Sequence, residues 1–204
     1  QELTAQIFGK KKAEKKLPTW FKNRNIIYPG RVNLEQTSSE KTAEYKASLV
    51  SGDSIVDLTG GFGIDAYYFG RNLQKVMHCE LDRDLSEIVK HNFDVLGAKN
   101  VEFFTGDGID FLENTSEVFD WIYVDPSRRS DTGGRVFQLS DCLPNVPENL
   151  DLLWKKGKNI LLKTSPLLDL SAGIKELGNV KEIHVVAVEN DVKELLWILK
   201  KDSS

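Results

Sequence analysis

The sequence predicts an α/β fold in which a mainly parallel sheet ends in an antiparallel hairpin. Short β-branched or aromatic runs alternate with longer amphipathic stretches about every 20 to 25 residues, which is typical of repeated βα units. The last two strand candidates follow each other too closely for a helical crossover. With 204 residues, 40% of them hydrophobic, the chain is long enough to bury one sizeable core.

The elements follow one another in a regular order. Seven strands are expected at residues 54–59, 75–81, 101–105, 120–125, 159–164, 182–189 and 193–200. Helices are expected between the first five strands, at residues 64–71, 85–96, 109–113 and about 139–154. Ahead of the first strand, Thr37 and Glu40 form a capping-box pattern that predicts a helix through Lys46.

The final pair of strands narrows the fold class. Only a few residues around Asn190 and Asp191 separate residues 184–189 from residues 194–199. Parallel neighbours need a crossover of a dozen or more residues, so this pair is expected to form an antiparallel hairpin. A dinucleotide dehydrogenase would continue with another helical crossover instead, and its complete glycine triplet is also absent.

Composition and cysteine usage favour a cytoplasmic protein. No apolar run approaches the length of a membrane helix, and no segment resembles a signal peptide. Cys79 and Cys142 are too few for a disulfide framework and are expected as small buried hydrophobes. The histidines lack ligand spacing, so no metal site is predicted. The chain begins at Gln1 rather than Met, as a trimmed fragment would.

Basic residues are concentrated at the amino terminus. Residues 1–33 hold eight Lys or Arg and two acids, a net charge of +6, against −10 for the remainder. We expect a basic helical arm over residues 1–33 and a second domain over residues 34–204. The arm could follow a phosphate backbone, with Trp20, Phe21 and Tyr28 among its cations, or it could be a solvated helix face.

Chemistry-bearing residues follow the first three predicted strands. Doubly wound sheets bind ligands outside the carboxyl ends of their strands, so these residues belong together. A glycine-rich turn from Asp57 to Gly63 would let the backbone approach a ligand. Glu80, 23 residues beyond Asp57, suits a ribose diol, and Asp107 could accept a hydrogen bond from an adenine amino group. Each of these features also has a purely structural explanation: the glycines and Asp107 could form ordinary turns, and Glu80 could be an ordinary strand-end acid.

This series resembles the class I S-adenosylmethionine-dependent methyltransferases over residues 34–200. The resemblance implies a Rossmann-like, seven-stranded, mainly parallel sheet with a terminal antiparallel hairpin, helices on both faces and S-adenosylmethionine as cofactor. The family's glycine motif aligns with Asp57, Thr59, Gly61 and Gly63, with Thr59 replacing the first glycine. Cofactor-binding residues are implied at these positions and at Glu80 and Asp107. A polar segment over the methionine end of the cofactor is implied at Gln36, Thr37 and Ser38.

The fourth strand delivers Asp125 and Pro126, which look like the family's acceptor-binding motif. In relatives that methylate exocyclic amines of bases, an acid or amide here and a neighbouring carbonyl accept hydrogen bonds from the amine. The resemblance therefore makes Asp125 and Pro126 the candidate catalytic residues. Ser127 and Arg128 replace the family's second proline and aromatic ring, so base stacking must come from elsewhere. Alternatively, Asp125 has no catalytic role and is a structural residue of the turn that leads into Pro126.

Further segments suggest the acceptor. The segment Lys163 to Pro166 lacks the cysteine that pyrimidine carbon methyltransferases carry there, which disfavours a covalent thiol adduct. Arg128, Arg129 and Arg135 follow the acceptor acid and suit substrate phosphates, although intramolecular ion pairs would also explain them. Three segments, at residues 125–129, 163–166 and 188–195, look most like those of bacterial methyltransferases with an appended THUMP-like RNA-binding domain. More broadly, they resemble trimethylguanosine synthase and other guanine-amine methyltransferases.

Two functions remain after the dehydrogenase is set aside. The favoured one is methyl transfer to an exocyclic or ring nitrogen of an RNA base, with no membrane or metal involved. The alternative is a non-catalytic S-adenosylmethionine-fold module that binds RNA or a protein partner. The acceptor RNA, the methylated atom and the oligomeric state stay open.

Overall fold

The computed structural model describes residues 2–128 and 138–201. The chain divides into two compact units, Gln1–Gly108 and Ile109–Ser204. No helix in the described part of the chain has the length and apolar character needed to cross a bilayer.

The first unit carries six helices and three strands in its described part. The helices are α1 (Glu2–Lys16), α2 (Pro18–Lys22), α3 (Arg31–Gln36), α4 (Glu40–Leu49), α5 (Ile64–Asn72) and α6 (Arg83–Leu96). The strands are β1 (Ser54–Asp57), β2 (Lys75–Glu80) and β3 (Val101–Thr105). Helix α7 (Gly108–Asn114) begins at the last residue of this unit.

The second unit carries the remaining elements. Its strands are β4 (Phe119–Val124), β5 (Ser127–Arg128), β6 (Cys142–Leu143), β7 (Gly157–Thr164), β8 (Val180–Val188) and β9 (Asp191–Lys200). Its helices are α8 (Val146–Lys156) and α9 (Leu170–Leu177), and a 3-10 turn covers Leu139–Asp141.

Seven strands form one sheet in the order β3-β2-β1-β4-β7-β9-β8. The pairs β1/β2, β2/β3 and β4/β7 are parallel, whereas β9 runs antiparallel to both β7 and β8. Val188 pairs with Asp191, so the hairpin turn consists of Glu189 and Asn190, both at positive φ as a type I′ turn requires. The predicted seven-stranded, mainly parallel sheet with a terminal hairpin is confirmed.

The predicted capping box ahead of β1 is wrong. Helix α4 is capped by Ser39, whose Oγ accepts a hydrogen bond from the Thr42 amide at 3.2 Å, while Thr37 follows α3. Glu40 is buried and accepts bonds from the Thr19 amide at 2.6 Å, the Thr19 hydroxyl at 2.8 Å and the Tyr68 hydroxyl at 2.8 Å. These tertiary donors, invisible in a local pattern, hold its carboxylate away from the helix end.

Two helices differ from the sequence prediction. The expected helix at 139–154 begins only at Val146, after a 3-10 turn and the short strand β6, because the Asn145 side chain caps it by accepting from the Glu148 amide. Helix α9 was missed altogether. It spans eight residues and is capped by Asp169, which accepts from the Ala172 amide at 2.8 Å.

The amino-terminal segment is helical and packs within the first unit. Ala13, Leu17 and Trp20 are fully buried, and the Gln6 amide bonds both the N–H and the C=O of Tyr28 at 2.9 Å. Four lysines of α1 stay exposed, namely Lys10, Lys11, Lys12 and Lys15. A domain boundary at residue 33 stays a prediction.

A fully buried histidine lies beneath the glycine-rich turn. His78 of β2 packs against Phe93 and Phe103, and a Cβ on Gly60 would lie 2.3 Å from its Nε2. Neither ring nitrogen makes a hydrogen bond of normal geometry within the described residues. Burial lowers the pKa of His78 from 6.5 to about 4, although the nearby backbone of Gly60 offsets part of the effect.

Acidification should therefore destabilise the fold through His78. Because its folded-state pKa lies below the ordinary value, the unfolded state takes up the proton first. The stability that neutral His78 contributes is complete above pH 6.5 and is lost as the pH falls towards 4. Between pH 7 and pH 5 the wild type should lose about 2 kcal/mol more unfolding free energy than His78→Leu, measured by urea denaturation. Parallel losses in the two proteins would contradict this assignment.

Candidate functional site

Asp57 shapes the turn that follows β1. It is the last residue of the strand and is only 1% exposed. Its Oδ1 accepts hydrogen bonds from the Thr59 amide at 3.0 Å and the Thr59 hydroxyl at 3.4 Å. Thr59, which replaces the first glycine of the motif, therefore uses its hydroxyl to tighten the turn.

The glycines of this turn serve two different needs. Gly63 has φ +77°, and a Cβ there would lie 2.8 Å from Val89, so this glycine lets α6 pack closely. Gly61 has φ +53°, but a Cβ there would meet, among the described residues, only the Thr59 carbonyl oxygen at 3.8 Å. The backbone of Gly61 therefore borders open space in which a ligand could lie.

Glu80 holds the turn from the end of β2. Its Oε2 accepts a hydrogen bond from the Gly61 amide at 2.7 Å, and its Oε1 accepts one from the Asp82 amide at 2.7 Å. Burial raises the pKa of Glu80, and the two amide bonds partly counter that rise. Because a carboxylate has about four lone-pair directions, these oxygens can also accept bonds from hydroxyl groups.

Asp107 follows β3 and is exposed. The next residue, Gly108, begins α7, and a Cβ there would lie 2.5 Å from the Leu58 carbonyl oxygen. Burial raises the pKa of the Cys79 thiol, and the charges of Asp57 and Asp107 raise it further. The acid that ends β1 and the acid that follows β3 therefore both raise the pKa of the buried thiol near the end of β2.

The segment predicted to lie over the methionine end of the cofactor leads into a buried polar network. Lys46, with no exposed surface, donates to the Ser38 hydroxyl at 2.7 Å and pairs with Asp65 at 2.8 Å. The Ser38 hydroxyl in turn donates to Asp65 at 2.8 Å. This network joins the Ser38 segment to the first turn of α5, directly after the glycine turn. Sequence analysis missed it.

The remaining members of that segment make no comparable network. Gln36 ends α3 and is exposed, and Thr37 follows it in extended conformation. Cofactor contacts by Gln36, Thr37 and Ser38 stay a prediction.

An alanine scan of two left-handed glycines should separate folding from ligand binding. Gly97, which ends α6 at φ +73°, resembles Gly61 in lacking any close neighbour for a Cβ. Gly61→Ala and Gly97→Ala should each lower the unfolding free energy by about 1 to 2 kcal/mol. Only Gly61→Ala should weaken S-adenosylhomocysteine binding by more than about tenfold in calorimetric titration, because its methyl group would occupy the open space. Equal affinities of the two variants would contradict this assignment.

The second unit places Asp125 directly after β4. Residues Trp121, Ile122, Tyr123 and Val124 are buried, so the strand is fixed on both faces. The Asp125 side chain is 34% exposed and forms an ion pair with the Nζ of Lys163, whose side chain is 14% exposed. Val124 pairs with Leu162, so the strand register brings Asp125 beside Lys163.

Sequence reasoning missed Lys163, the ion-pair partner of Asp125. The segment from Lys163 to Pro166 indicated only the lack of a nucleophilic cysteine and a likeness to bacterial methyltransferases, and neither points to an ion pair. No local pattern signals this pair, because it forms only through the register of β4 and β7, as does the pair of Asp120 and Lys158 at 2.7 Å, five residues earlier. Neighbouring Thr164 is buried and accepts from the Trp197 indole at 2.9 Å.

The chain after Asp125 is anchored by a short ribbon. Ser127 and Arg128 form β5, which pairs antiparallel with Leu143 and Cys142 of β6. Of the arginines predicted to bind phosphate, Arg128 ends this strand, and Arg129 and Arg135 lie outside the described residues. Within the described ranges, no cluster of three or more His, Cys, Asp or Glu could hold a metal ion.

Comparison with solved structures identifies proteins of similar fold. A "putative methyltransferase" from Porphyromonas gingivalis W83 is 33% identical, covers 98% of this chain and 50% of its own, and superposes with a TM-score of 0.88. This chain therefore spans about half the length of that protein. No protein-family model matches the chain, and no curated protein does.

Two more distant structures share the fold alone. An rRNA methylase from Streptococcus thermophilus has 12% identity and a TM-score of 0.56, covering 79% of this chain and 94% of its own. An S-adenosylmethionine-dependent O-methyltransferase from Thermotoga maritima has 16% identity and a TM-score of 0.59, covering 83% of this chain and 69% of its own. The chain thus has the Rossmann-like fold found in methyltransferases.

Proposed function

We propose that this chain is an S-adenosylmethionine-dependent methyltransferase that acts on a nitrogen of an RNA base. The observation that carries the proposal is the glycine turn after β1, held at Gly61 by the Glu80 carboxylate and open on the side where a Cβ would project. The similarity in fold to methyltransferases supports the same function.

The residues around this turn fit S-adenosylmethionine. Glu80 would accept hydrogen bonds from the ribose diol, since its carboxylate already faces the turn. Exposed Asp107 would accept one from the adenine amino group, and the open side of Gly61 leaves room for the nucleoside. When bound, the cofactor supplies an electrophilic methyl group on a positively charged sulfur.

Asp125 would align the acceptor. Methyl transfer to a neutral amine disperses the sulfonium charge, so most of the catalytic gain comes from positioning and the exclusion of water. The Asp125 carboxylate and the Pro126 carbonyl would accept hydrogen bonds from the amine and direct its lone pair. No strong base is required of the chain.

RNA is proposed as the acceptor on the basis of charge. The exposed lysines concentrate positive charge on α1, and residues 1–33 carry a net charge of +6. Arg128, Arg129 and Arg135, which follow the acceptor acid in the sequence, would add phosphate contacts. We further propose that the nearest functional relatives are bacterial methyltransferases with a THUMP-like domain and guanine-amine methyltransferases.

Transfer of a radiolabelled methyl group to total RNA tests this function. Label in RNA, lost on nuclease treatment, is the expected result, and affinity for RNA should fall steeply between low and physiological salt. Binding of S-adenosylhomocysteine without transfer to RNA would instead favour the non-catalytic module. An RNA affinity independent of salt would remove the electrostatic basis for an RNA substrate.

A further inference from the structure

We infer that Lys163 is a second acceptor-binding residue, which together with Asp125 selects an exocyclic amine adjacent to an unprotonated ring nitrogen. This inference rests on the function proposed above. It narrows the acceptor from any base nitrogen to the amino groups of adenine, cytosine or the N2–N3 edge of guanine. It excludes a ring nitrogen, a carbon and a ribose hydroxyl as the methylated atom.

The position of Lys163 is fixed by the strands around it. It lies one residue before the end of β7, its ammonium bonds Asp125, and it pairs with Leu196 of β9. Because side chains alternate along a strand, Glu194 lies on the same face as Leu196 and Lys163. Glu194 is only 3% exposed. The lysine therefore lies on a face that also carries two acids.

The Lys163 side chain is largely shielded from bulk solvent, beside Asp125. Its side chain is 14% exposed, whereas that of Lys158, five residues earlier on the same strand, is 67% exposed. A partly desolvated ammonium makes stronger hydrogen bonds than a solvated one. Any group that binds Asp125 comes within reach of this ammonium.

The pair has a defined hydrogen-bonding pattern. An ionised carboxylate only accepts hydrogen bonds, whereas an ammonium only donates them and has three N–H groups. A ligand that bonds both must offer a donor beside an acceptor. The amino group of adenine, cytosine or guanine offers its N–H to Asp125, and the neighbouring unprotonated ring nitrogen offers its lone pair to Lys163.

Other acceptors match this pair poorly. Guanine N1 and uracil N3 carry hydrogens and would have to lose them before their nitrogens could react, a step that an exocyclic amine does not need. For an amine, the nitrogen lone pair forms the bond to the methyl carbon while the carbon–sulfur bond breaks and its electrons remain on sulfur. The nitrogen then releases one proton to water.

The test combines protein variants with altered RNA. Digestion of labelled RNA to nucleosides first identifies the methylated base and atom. The methylation rate is then measured for wild type and Lys163→Met on that RNA and on RNA in which the adjacent ring nitrogen is replaced by C–H. Lys163→Arg keeps a hydrogen-bond donor at this position. Lys158→Met is the control, because Lys158 forms the corresponding ion pair with Asp120 five residues earlier on β7.

The expected product carries its label on an exocyclic amine. Lys163→Met should lower kcat/KM for RNA about 100-fold with S-adenosylhomocysteine affinity unchanged, while Lys163→Arg should recover much of the loss and Lys158→Met should match wild type. The deaza substitution should slow the wild type but not slow Lys163→Met further, because both remove the same hydrogen bond.

Three results would overturn the inference. The first is label on a ring nitrogen, a carbon or a hydroxyl. The second is that the effects of the deaza base and of Lys163→Met add. The third is full activity of Lys163→Met. Label on a ring nitrogen, additive effects or full activity of Lys163→Met would leave the proposed function standing, because each presupposes methyl transfer to a base nitrogen. Label on a carbon or hydroxyl would also refute the nitrogen acceptor, although methyl transfer itself would stand. Absence of both cofactor binding and transfer in the wild type would instead refute the proposed function, and this inference with it.

Discussion

Asp125→Asn is expected to lower methyl transfer to RNA by about 10² to 10³-fold, with S-adenosylhomocysteine affinity changed by no more than about twofold. An amide is nearly the same size but replaces one acceptor oxygen with a donor NH2 group. In this chain Lys163 would take the remaining amide oxygen, so the NH2 group would face the acceptor's N–H and repel it, and the ion pair with Lys163 would be lost. Single-turnover rates and calorimetric titration measure the two quantities separately.

Asp120→Asn is the matched control for this prediction. Asp120 pairs with Lys158 on the same two strands and lies five residues from Asp125. Its substitution tests whether loss of a strand-to-strand ion pair alone lowers activity. Near-wild-type turnover in Asp125→Asn, or an equal loss in Asp120→Asn, would exclude Asp125 as the acceptor-aligning residue.

Lys46→Met is expected to lower the unfolding free energy by about 3 to 5 kcal/mol. The substitution leaves Asp65 buried without its cation, and the Ser38 hydroxyl loses the donor at 2.7 Å. Urea denaturation measures the loss. Because Asp65 lies two residues after Gly63 and bonds both Ser38 and Lys46, the folded fraction should also bind S-adenosylhomocysteine more weakly.

Two further variants distinguish the ion pair from general disturbance of α4. Lys41 lies on the same helix and is exposed, so Lys41→Met should change stability by no more than about 0.5 kcal/mol. Lys46→Met combined with Asp65→Leu should be more stable than Lys46→Met alone, since no unpaired charge remains. If Lys46→Met and Lys41→Met cost the same, the buried network is not a major source of stability.

The sequence predicts the strand-end acids well because their positions depend on local pattern. Asp57 and Glu80 each end a strand, and Asp125 directly follows one, as the alternation of strands and helices indicates. The hairpin follows from loop length alone, and the structure gives it a two-residue turn at Glu189 and Asn190.

The partners of these residues could not be predicted because they depend on tertiary contacts. Glu40 bonds Thr19 and Tyr68, 21 and 28 residues away, so a local capping pattern misassigned it. Lys46 looks like an ordinary surface lysine until Asp65 is seen beside it. The pairing of Lys163 with Asp125 likewise depends on the register of two strands separated by 38 residues.

Calorimetric titration with S-adenosylhomocysteine tests the central claim most directly. We predict saturable binding at one site per chain, weakened about 10 to 100-fold by Glu80→Gln but unchanged by Glu87→Gln, an exposed carboxylate of α6 paired with Lys90. No binding by the folded wild type, or equal affinity in Glu80→Gln, would contradict the assignment of this turn as the cofactor site.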